Sequence, residues 1–337
     1  MDEAANRSTL PILAIDLGGT RIRAAIVESD LGVSHRRSVA TDAADGPAAV
    51  IDRICQLAAE VLADAQRDDL PRPAGIGISA PGPLDARRGV VLSPPNLPGW
   101  HDVPLAEAVA RATGLPAFLE RDTNVAVMAE WQHGAARGSD DAVYVTVSTG
   151  IGGGIVLGGR PLIGLDGTAG EIGHLTVELD GPLCGDGMPG HVEALGSGAA
   201  IAREGRALLA RGGSPGLAAL AVNAAAVDAE LVARAADGGD AACASVLARA
   251  WIAIGAMCAG LVNVLNPEVI VLGGSIALRR PELRTAVREQ IDRRAFSVPA
   301  ARVRVEMAEH ADDVSLIGWL PIVHQRLHDP LYRKEGA

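Results

Sequence analysis

The sequence predicts a mixed α/β protein made of two duplicated lobes facing each other across a cleft. Two segments carry that expectation. Residues 12–27, ILAIDLGGTRIRAAIV, place alternating apolar residues before Asp16, a glycine pair at Gly18 and Gly19, then Thr20 and a second alternating run. Residues 142–158, AVYVTVSTGIGGGIVLG, repeat the design, with Val143, Val145 and Val147 leading into Ser148, Thr149 and Gly150. Each reads as a β-hairpin whose turn carries little side-chain bulk. Without a Cβ, glycine lets the N–H groups of such a turn approach a phosphate closely and adopts unusual dihedrals. Asp16 stands beside the first turn, where a carboxylate could hold a phosphate-bound Mg2+. One reading is a nucleotide site; the other is a pair of unrelated structural hairpins. Neither turn closes with Gly-Lys-Ser/Thr, and neither has the GxGxxG strand-to-helix setting of a dinucleotide fold.

The remaining elements follow in order. Strands are expected near 12–16, 21–27, 75–79 and 116–119. An Ala-rich helix is expected at about 47–66, and another at about 104–113, with Pro104 inside its start and Gly114 past its end. This alternation describes a three-layer α/β lobe. Residues 120–133 read as a helix with Asp122 in its first turn. The glycine-rich stretch 158–198 is too irregular for regular elements, and a loop region of that length is usually functional. Helices dominate 198–264, followed by a strand at 268–272, a Gly273–Gly274 turn and a last helix at about 313–327. The expected division is a smaller lobe, 1–118, completed by the C-terminal helix, and a larger lobe, 119–312.

Composition narrows the function. A chain of 337 residues is long enough for two domains. Hydrophobic residues at 48% and charged residues at 21% exclude a disordered class. The net charge of −11 argues against nucleic acid and anionic membrane as partners. A triphosphate would therefore be held by local amides and Mg2+ against an unhelpful global field. With aromatics at 2%, no stacking platform for single strands is available. The N-terminal MDEAANRSTLP lacks the apolar core of a secretory signal. Residues 250–267 carry no charge, but Gly255, Gly260, Asn263, Asn266 and Pro267 dilute the run, so a buried core helix is expected rather than a membrane span. Four scattered cysteines, Cys55, Cys184, Cys243 and Cys258, fit a reduced, cytoplasmic protein.

Six motifs together resemble the ROK family (repressor, open reading frame, kinase). They are Asp16-Leu-Gly-Gly-Thr20, Ser79-Ala-Pro-Gly-Pro83, Asn96-Leu-Pro-Gly-Trp100, Ser148-Thr-Gly-Ile-Gly-Gly-Gly154, Gly170-Glu-Ile-Gly-His174 and Asn266-Pro-Glu-Val-Ile-Val-Leu-Gly-Gly274. Each is weak alone; their order over about residues 10–325 carries the resemblance. The family contains bacterial glucokinases and N-acetylhexosamine kinases, with an actin-like, ribonuclease-H-like duplicated fold. The resemblance implies ATP and Mg2+ as cofactors, a sugar as partner and a homodimer. Asp122 matches the family's catalytic base, which takes the proton of the sugar 6-hydroxyl; on the residues alone it reads first as an ordinary helix cap, and the two roles are compatible. Asp16, Gly18, Gly19, Thr20, Ser148, Thr149 and Gly150 match the phosphate turns, and Gly273 and Gly274 the turn beside the adenosine. Asn96, Glu171, His174 and Glu193 match sugar-contacting positions.

Two departures stand out. The residue before the catalytic Asp is typically Asn in the family's sugar kinases and is Arg121 here. Arg is donor-only and always charged, so either it points elsewhere or the pocket takes a different substrate. The family's Cys-x-Cys-Gly-x-x-Gly-Cys-x-Glu becomes Cys184-Gly-Asp186-Gly-Met-Pro-Gly-His191-Val-Glu193. Here Asp186 and His191 replace two thiolates. A Zn2+ site of His174, Cys184, Asp186 and His191 is one outcome; loss of the metal, with the loop held by hydrogen bonds, is the other. The family's repressors carry a DNA-binding domain ahead of the first hairpin, and about ten residues there are too few for one. A sugar kinase is thus the expected function, and a non-catalytic sugar sensor its rival.

Overall fold

The computed structural model describes residues 10–332 apart from 95, 166, 311 and 312. Alternating apolar residues form β1 (Ile12–Leu17) and β2 (Arg21–Val27), which pair antiparallel from Ile12↔Val27 to Leu17↔Ile22. The chain continues into β3 (Val33–Ala40), then β4 (Ile76–Ala80), a ribbon of β5 (Leu84–Asp85) with β6 (Val90–Val91), and β7 (Ala117–Arg121). The first sheet has the order β3-β2-β1-β4-β7, with β1, β4 and β7 parallel. β3 was missing from the sequence reading because VSHRRSVA has no buried face: it is an edge strand, mostly exposed, without apolar alternation.

The second sheet repeats this topology. β8 (Ala142–Val147) and β9 (Ile151–Leu157) form an antiparallel hairpin, followed by β10 (Arg160–Pro161), β11 (Val269–Gly273) and β12 (Arg304–Met307). The order β10-β9-β8-β11-β12, with β8, β11 and β12 parallel, matches the first sheet strand for strand. This is the duplicated actin-like, ribonuclease-H-like fold.

In the first lobe, helix Pro47–Arg67 lays Val50, Ile54, Leu57, Ala58 and Val61 in the hydrophobic core at helical spacing. Each fully buried Val, Ile or Leu side chain among these stabilises by roughly 1.5–3 kcal/mol. Pro104 occupies the N-cap of helix Leu105–Thr113 rather than its interior. The C-terminal helix is two pieces, Val314–Ile317 and Trp319–His328. The Trp319 indole N–H donates to Ser79 Oγ at 2.8 Å, and Ser79 Oγ donates to the Ser315 carbonyl at 3.1 Å. Buried Arg326 pairs with buried Glu120 and donates to the Leu119 carbonyl at 2.9 Å.

The expected lobe boundary at 118/119 is corrected. The chain divides at Gly138/Ser139, and the first unit also holds Pro161–Ala169 and the C-terminal segment. Position 118/119 falls inside β7, and the helix that follows, Asp122–His133, packs against the two C-terminal helices of the same unit. In the second unit, helix Ala241–Leu265 packs on helix Glu282–Arg294. It is long and apolar enough to cross a membrane, but Leu247, Trp251, Ile254, Met257, Leu261 and Val262 are buried inside the protein.

Candidate active site

In each lobe, some of the expected site residues adjoin the C-terminal ends of parallel strands, the edge where open α/β sheets bind ligands: Asp16 and the Gly18–Thr20 turn at β1, Asp122 after β7, the Ser148–Gly150 turn at β8 and Gly273–Gly274 at β11. In the first sheet the register aligns Arg23, Asp16, Ser79 and Glu120 in one row across β2, β1, β4 and β7. The β1–β2 turn lies just beyond. Gly18 N–H donates to the Arg21 carbonyl at 3.0 Å. Buried Thr41, at the end of β3, clamps the turn: its hydroxyl donates to the Gly18 carbonyl at 2.7 Å and its N–H to the Thr20 carbonyl at 2.9 Å. Neither Gly18 nor Gly19 has positive φ. Their requirement is space, since a Cβ on Gly18 would lie 3.0 Å from the Arg21 carbonyl and one on Gly19 3.3 Å from Asn96 Nδ2. Asn96, expected to line a sugar pocket, thus sits against the first glycine turn.

Asp16, expected to hold a phosphate-bound Mg2+, already has side-chain partners. Its Oδ2 accepts from Arg23 Nη2 at 2.6 Å and Nε at 3.1 Å, and from the Ser315 hydroxyl at 3.2 Å. Arg23 also donates to Ser315 Oγ at 2.9 Å. Arg23 was missed, although hairpin pairing puts it directly opposite Asp16, a position that favours opposite charges.

Asp122 is exposed and is the first residue of helix Asp122–His133, immediately after β7. The N-cap is Arg121, in extended conformation, so Asp122 is not spent as a cap. Asp122 Oδ1 accepts from Thr123 N–H at 2.7 Å, and the helix N-terminus favours its negative charge. Arg121 is buried; its guanidinium donates to the Ala169 carbonyl at 2.8 Å and lies over Gly82, where a Cβ would be 3.6 Å from Nε. It ties the Pro161–Ala169 segment to β7, the strand that leads into Asp122.

In the second lobe the β8–β9 turn is one residue shorter than its counterpart, with Val147↔Ile151 as its last pair. Ser148 N–H donates to the Gly150 carbonyl at 2.9 Å. Gly198 and Ala199, at the start of helix Gly198–Ala210, donate to the Ser148 and Thr149 carbonyls at 2.8 and 3.1 Å. The Gly273–Gly274 turn packs on the end of β8: Gly274 has φ 88°, and a Cβ there would lie 2.6 Å from the Val147 carbonyl. Only glycine meets both demands. Glu193 reaches this turn from helix Val192–Gly196, and its Oε2 accepts from Ile151 N–H at 2.9 Å.

His174, Cys184, Asp186 and His191 converge, with one ligand atom from each lying within 4.8 Å of all the others. His174 Nδ1 and His191 Nδ1 stand 3.0 and 3.2 Å from Asp186 Oδ2 and 3.2 Å from each other. Zinc–nitrogen bonds of about 2.0–2.1 Å imply tetrahedral edges of about 3.3 Å, so the nitrogen and oxygen donors stand at zinc-site spacings. Burial pushes the Cys184 thiol pKa up. The Met188 N–H, then His191 and His174, hold the Asp186 carboxyl below the usual range. Glu171 lies beside the cluster, with Oε2 4.0 Å from His174 Nε2.

Two ribonuclease-H-like sheets, each with a glycine turn at the carboxyl edge of its parallel strands, define the fold class, and comparison with known proteins identifies the family. Residues 12–326 match the ROK family, and the chain belongs to it. It is 33% identical over 318 residues to a glucokinase of Thermotoga maritima, covering 94% of this chain and 98% of that protein. It is 34% identical over 270 residues to an N-acetylmannosamine kinase of Shigella flexneri, covering 80% and 84%. A crystal structure of a ROK family glucokinase from Streptomyces griseus, in complex with glucose and AMPPNP, superposes with a TM-score of 0.79 at 28% identity, covering 94% and 99%.

Proposed function

We propose that the protein transfers the γ-phosphoryl group of ATP to the 6-hydroxyl of a hexose or N-acetylhexosamine. The observation that carries this reading is Asp122: an exposed carboxylate, at the carboxyl edge of a parallel sheet, that leaves the cap position to Arg121. In this reading its carboxylate takes the hydroxyl proton as the oxygen attacks phosphorus, while Thr123 N–H fixes its orientation. A weak base suffices, because phosphoryl transfer depends mainly on positioning and charge neutralisation. Glu171, His174 and Glu193 offer acceptors and donors suited to sugar hydroxyls. Arg121 acts through the backbone it ties rather than as an open sugar contact, being 4% exposed.

Asp16, a hard oxygen donor, would hold the Mg2+ that neutralises phosphate charge, with Arg23 and Ser315 fixing one of its oxygens. The turns around Gly18, Gly19 and Thr20, and around Ser148, Thr149 and Gly150, offer backbone amides and hydroxyls to phosphates, with Gly273 and Gly274 next to the second. His174, Cys184, Asp186 and His191 would hold a Zn2+ that cross-links the loop. All four cysteines are free, in keeping with a cytoplasmic enzyme, and a homodimer belongs to the same reading.

The test is ADP release from purified protein across a panel of hexoses and N-acetylhexosamines. A sugar that raises ATP turnover well above the water rate is the expected result. Turnover that no sugar stimulates, despite measurable sugar binding, favours a sensor and overturns the proposal.

A further inference from the structure

Besides its place among the acceptors suited to a sugar, Glu193 makes two contacts that a sugar role does not require. Its two oxygens face different structures: Oε2 accepts from Ile151 N–H at 2.9 Å, and Oε1 lies 3.7 Å from Cys184 Sγ. A Cβ on Gly150 would stand 2.6 Å from Oε2, so this glycine gives the carboxylate its place against the turn. The backbone runs the same way. His191 is the N-cap of helix Val192–Gly196, which carries Glu193 two residues on. That helix ends at Ser197, whose N–H donates to the Glu193 carbonyl at 3.2 Å. Ser197 in turn caps helix Gly198–Ala210, whose first two N–H groups hold the Ser148 and Thr149 carbonyls. The turn is therefore gripped on both sides by a segment that starts at one donor of the metal-type cluster and touches another.

We propose that Glu193 is a positioning residue through which metal occupancy of the His174, Cys184, Asp186 and His191 cluster sets the Ser148–Gly150 turn, and with it nucleotide affinity. The inference rests on the reading of that cluster as a metal site. A cation that holds the His191 ring fixes the start of the helix that carries Glu193, and Cys184, binding it as a thiolate, gives up the S–H it donates to Glu193 Oε1, leaving the carboxylate to Ile151 N–H alone. Ile151 N–H then has a stationary acceptor, and the turn loses conformers unable to present its amides. Energetic coupling of this kind is expected to be modest, about tenfold in affinity.

The experiment uses the full chain, stripped of metal by a chelator and reloaded with Zn2+ alone, with metal content measured by mass spectrometry. Two readouts follow: amide hydrogen exchange across 148–151, and calorimetric affinity for a non-hydrolysable ATP analogue with Mg2+. In the wild type, zinc slows exchange there and tightens nucleotide about tenfold. In Glu193→Ala, zinc still binds but both responses shrink to within about twofold. Glu193→Gln keeps a carbonyl acceptor for Ile151 N–H and restores most of the response. Zinc bound in one equivalent with no change in wild-type exchange or affinity overturns the inference while leaving the metal site standing, and this arm decides even where the alanine variant does not fold. An undiminished response in Glu193→Ala also overturns it. Failure to bind zinc overturns the metal reading, and the coupling with it.

Discussion

The Gly150→Ala substitution gives a demanding test of how the second turn is built. Gly150 has no positive φ, so alanine meets no backbone strain. The conflict lies with one side chain. The new Cβ would lie 2.6 Å from Glu193 Oε2, and ordinary contact requires about 0.8 Å more. A carboxylate retreating by that amount gives up its 2.9 Å bond from Ile151 N–H. A hydrogen bond to a charged group contributes about 1.5–3 kcal/mol. At about 2–4 °C per kcal/mol for a lobe of this size, the expected fall in Tm is roughly 3–12 °C. Loss of the same constraint raises KM for ATP by about tenfold, 1.4 kcal/mol at the turn. Differential scanning fluorimetry and steady-state kinetics measure both. Gly260→Ala is the control: this exposed glycine lies in helix Ala241–Leu265 with nothing within 4 Å of a Cβ, so alanine should stabilise by about 1 kcal/mol. A Gly150→Ala protein with wild-type Tm and wild-type KM for ATP would refute the reasoning.

Three further outcomes are expected. Asp122→Asn keeps the bond from Thr123 N–H and alters an exposed residue, so Tm should move by less than about 2 °C. Its kcat should fall about 10²- to 10⁴-fold with little change in sugar KM; a kcat within tenfold of wild type would remove Asp122 from its role. Arg326→Met strands the buried Glu120 carboxylate and should destabilise by about 3–5 kcal/mol, with the Glu120→Gln, Arg326→Met double variant recovering part of it in urea unfolding. Burial holds His324 below the usual imidazole pKa. Its Nε2–H faces the Leu10 carbonyl at 3.1 Å, and Nδ1 is buried without a hydrogen-bond partner among the described residues. The unfolded chain therefore takes up the proton first, at about pH 6.5. Stability should be full above that pH and decline as pH falls through it toward the lower folded value, and His324→Gln should flatten the decline in urea midpoints measured from pH 8 to 5.

What the sequence revealed and what it hid follow one physical distinction. The hairpins β1–β2 and β8–β9 were legible because period-two burial and a glycine turn are local signals. The cluster donors were legible only through the family resemblance, whose metal motif aligns with Cys184, Asp186 and His191. Contacts between segments distant along the chain left no such trace. Ile151 N–H to Glu193 spans 42 residues, and Trp319 to Ser79 spans 240. β3 and β12, with exposed Arg36, Arg37 and Arg304, show no buried period to read.

The helix that carries Asp122 shows why the lobe boundary was misplaced. An amphipathic helix announces its core face through a periodic stripe, but here Thr123 to Glu130 are buried without a break. Such a helix gives no clue, from pattern alone, to which neighbours it joins; packing on Val314–Ile317 and Trp319–His328, almost two hundred residues later, decides that. The same fact changes how Asp122 is read. A carboxylate on a solvated helix face is ordinary, whereas one exposed residue ahead of eight consecutive buried ones is the open end of a rod fixed on every side. Its position is set by the core, which is the condition a base needs if it is to meet a hydroxyl with little reorganisation.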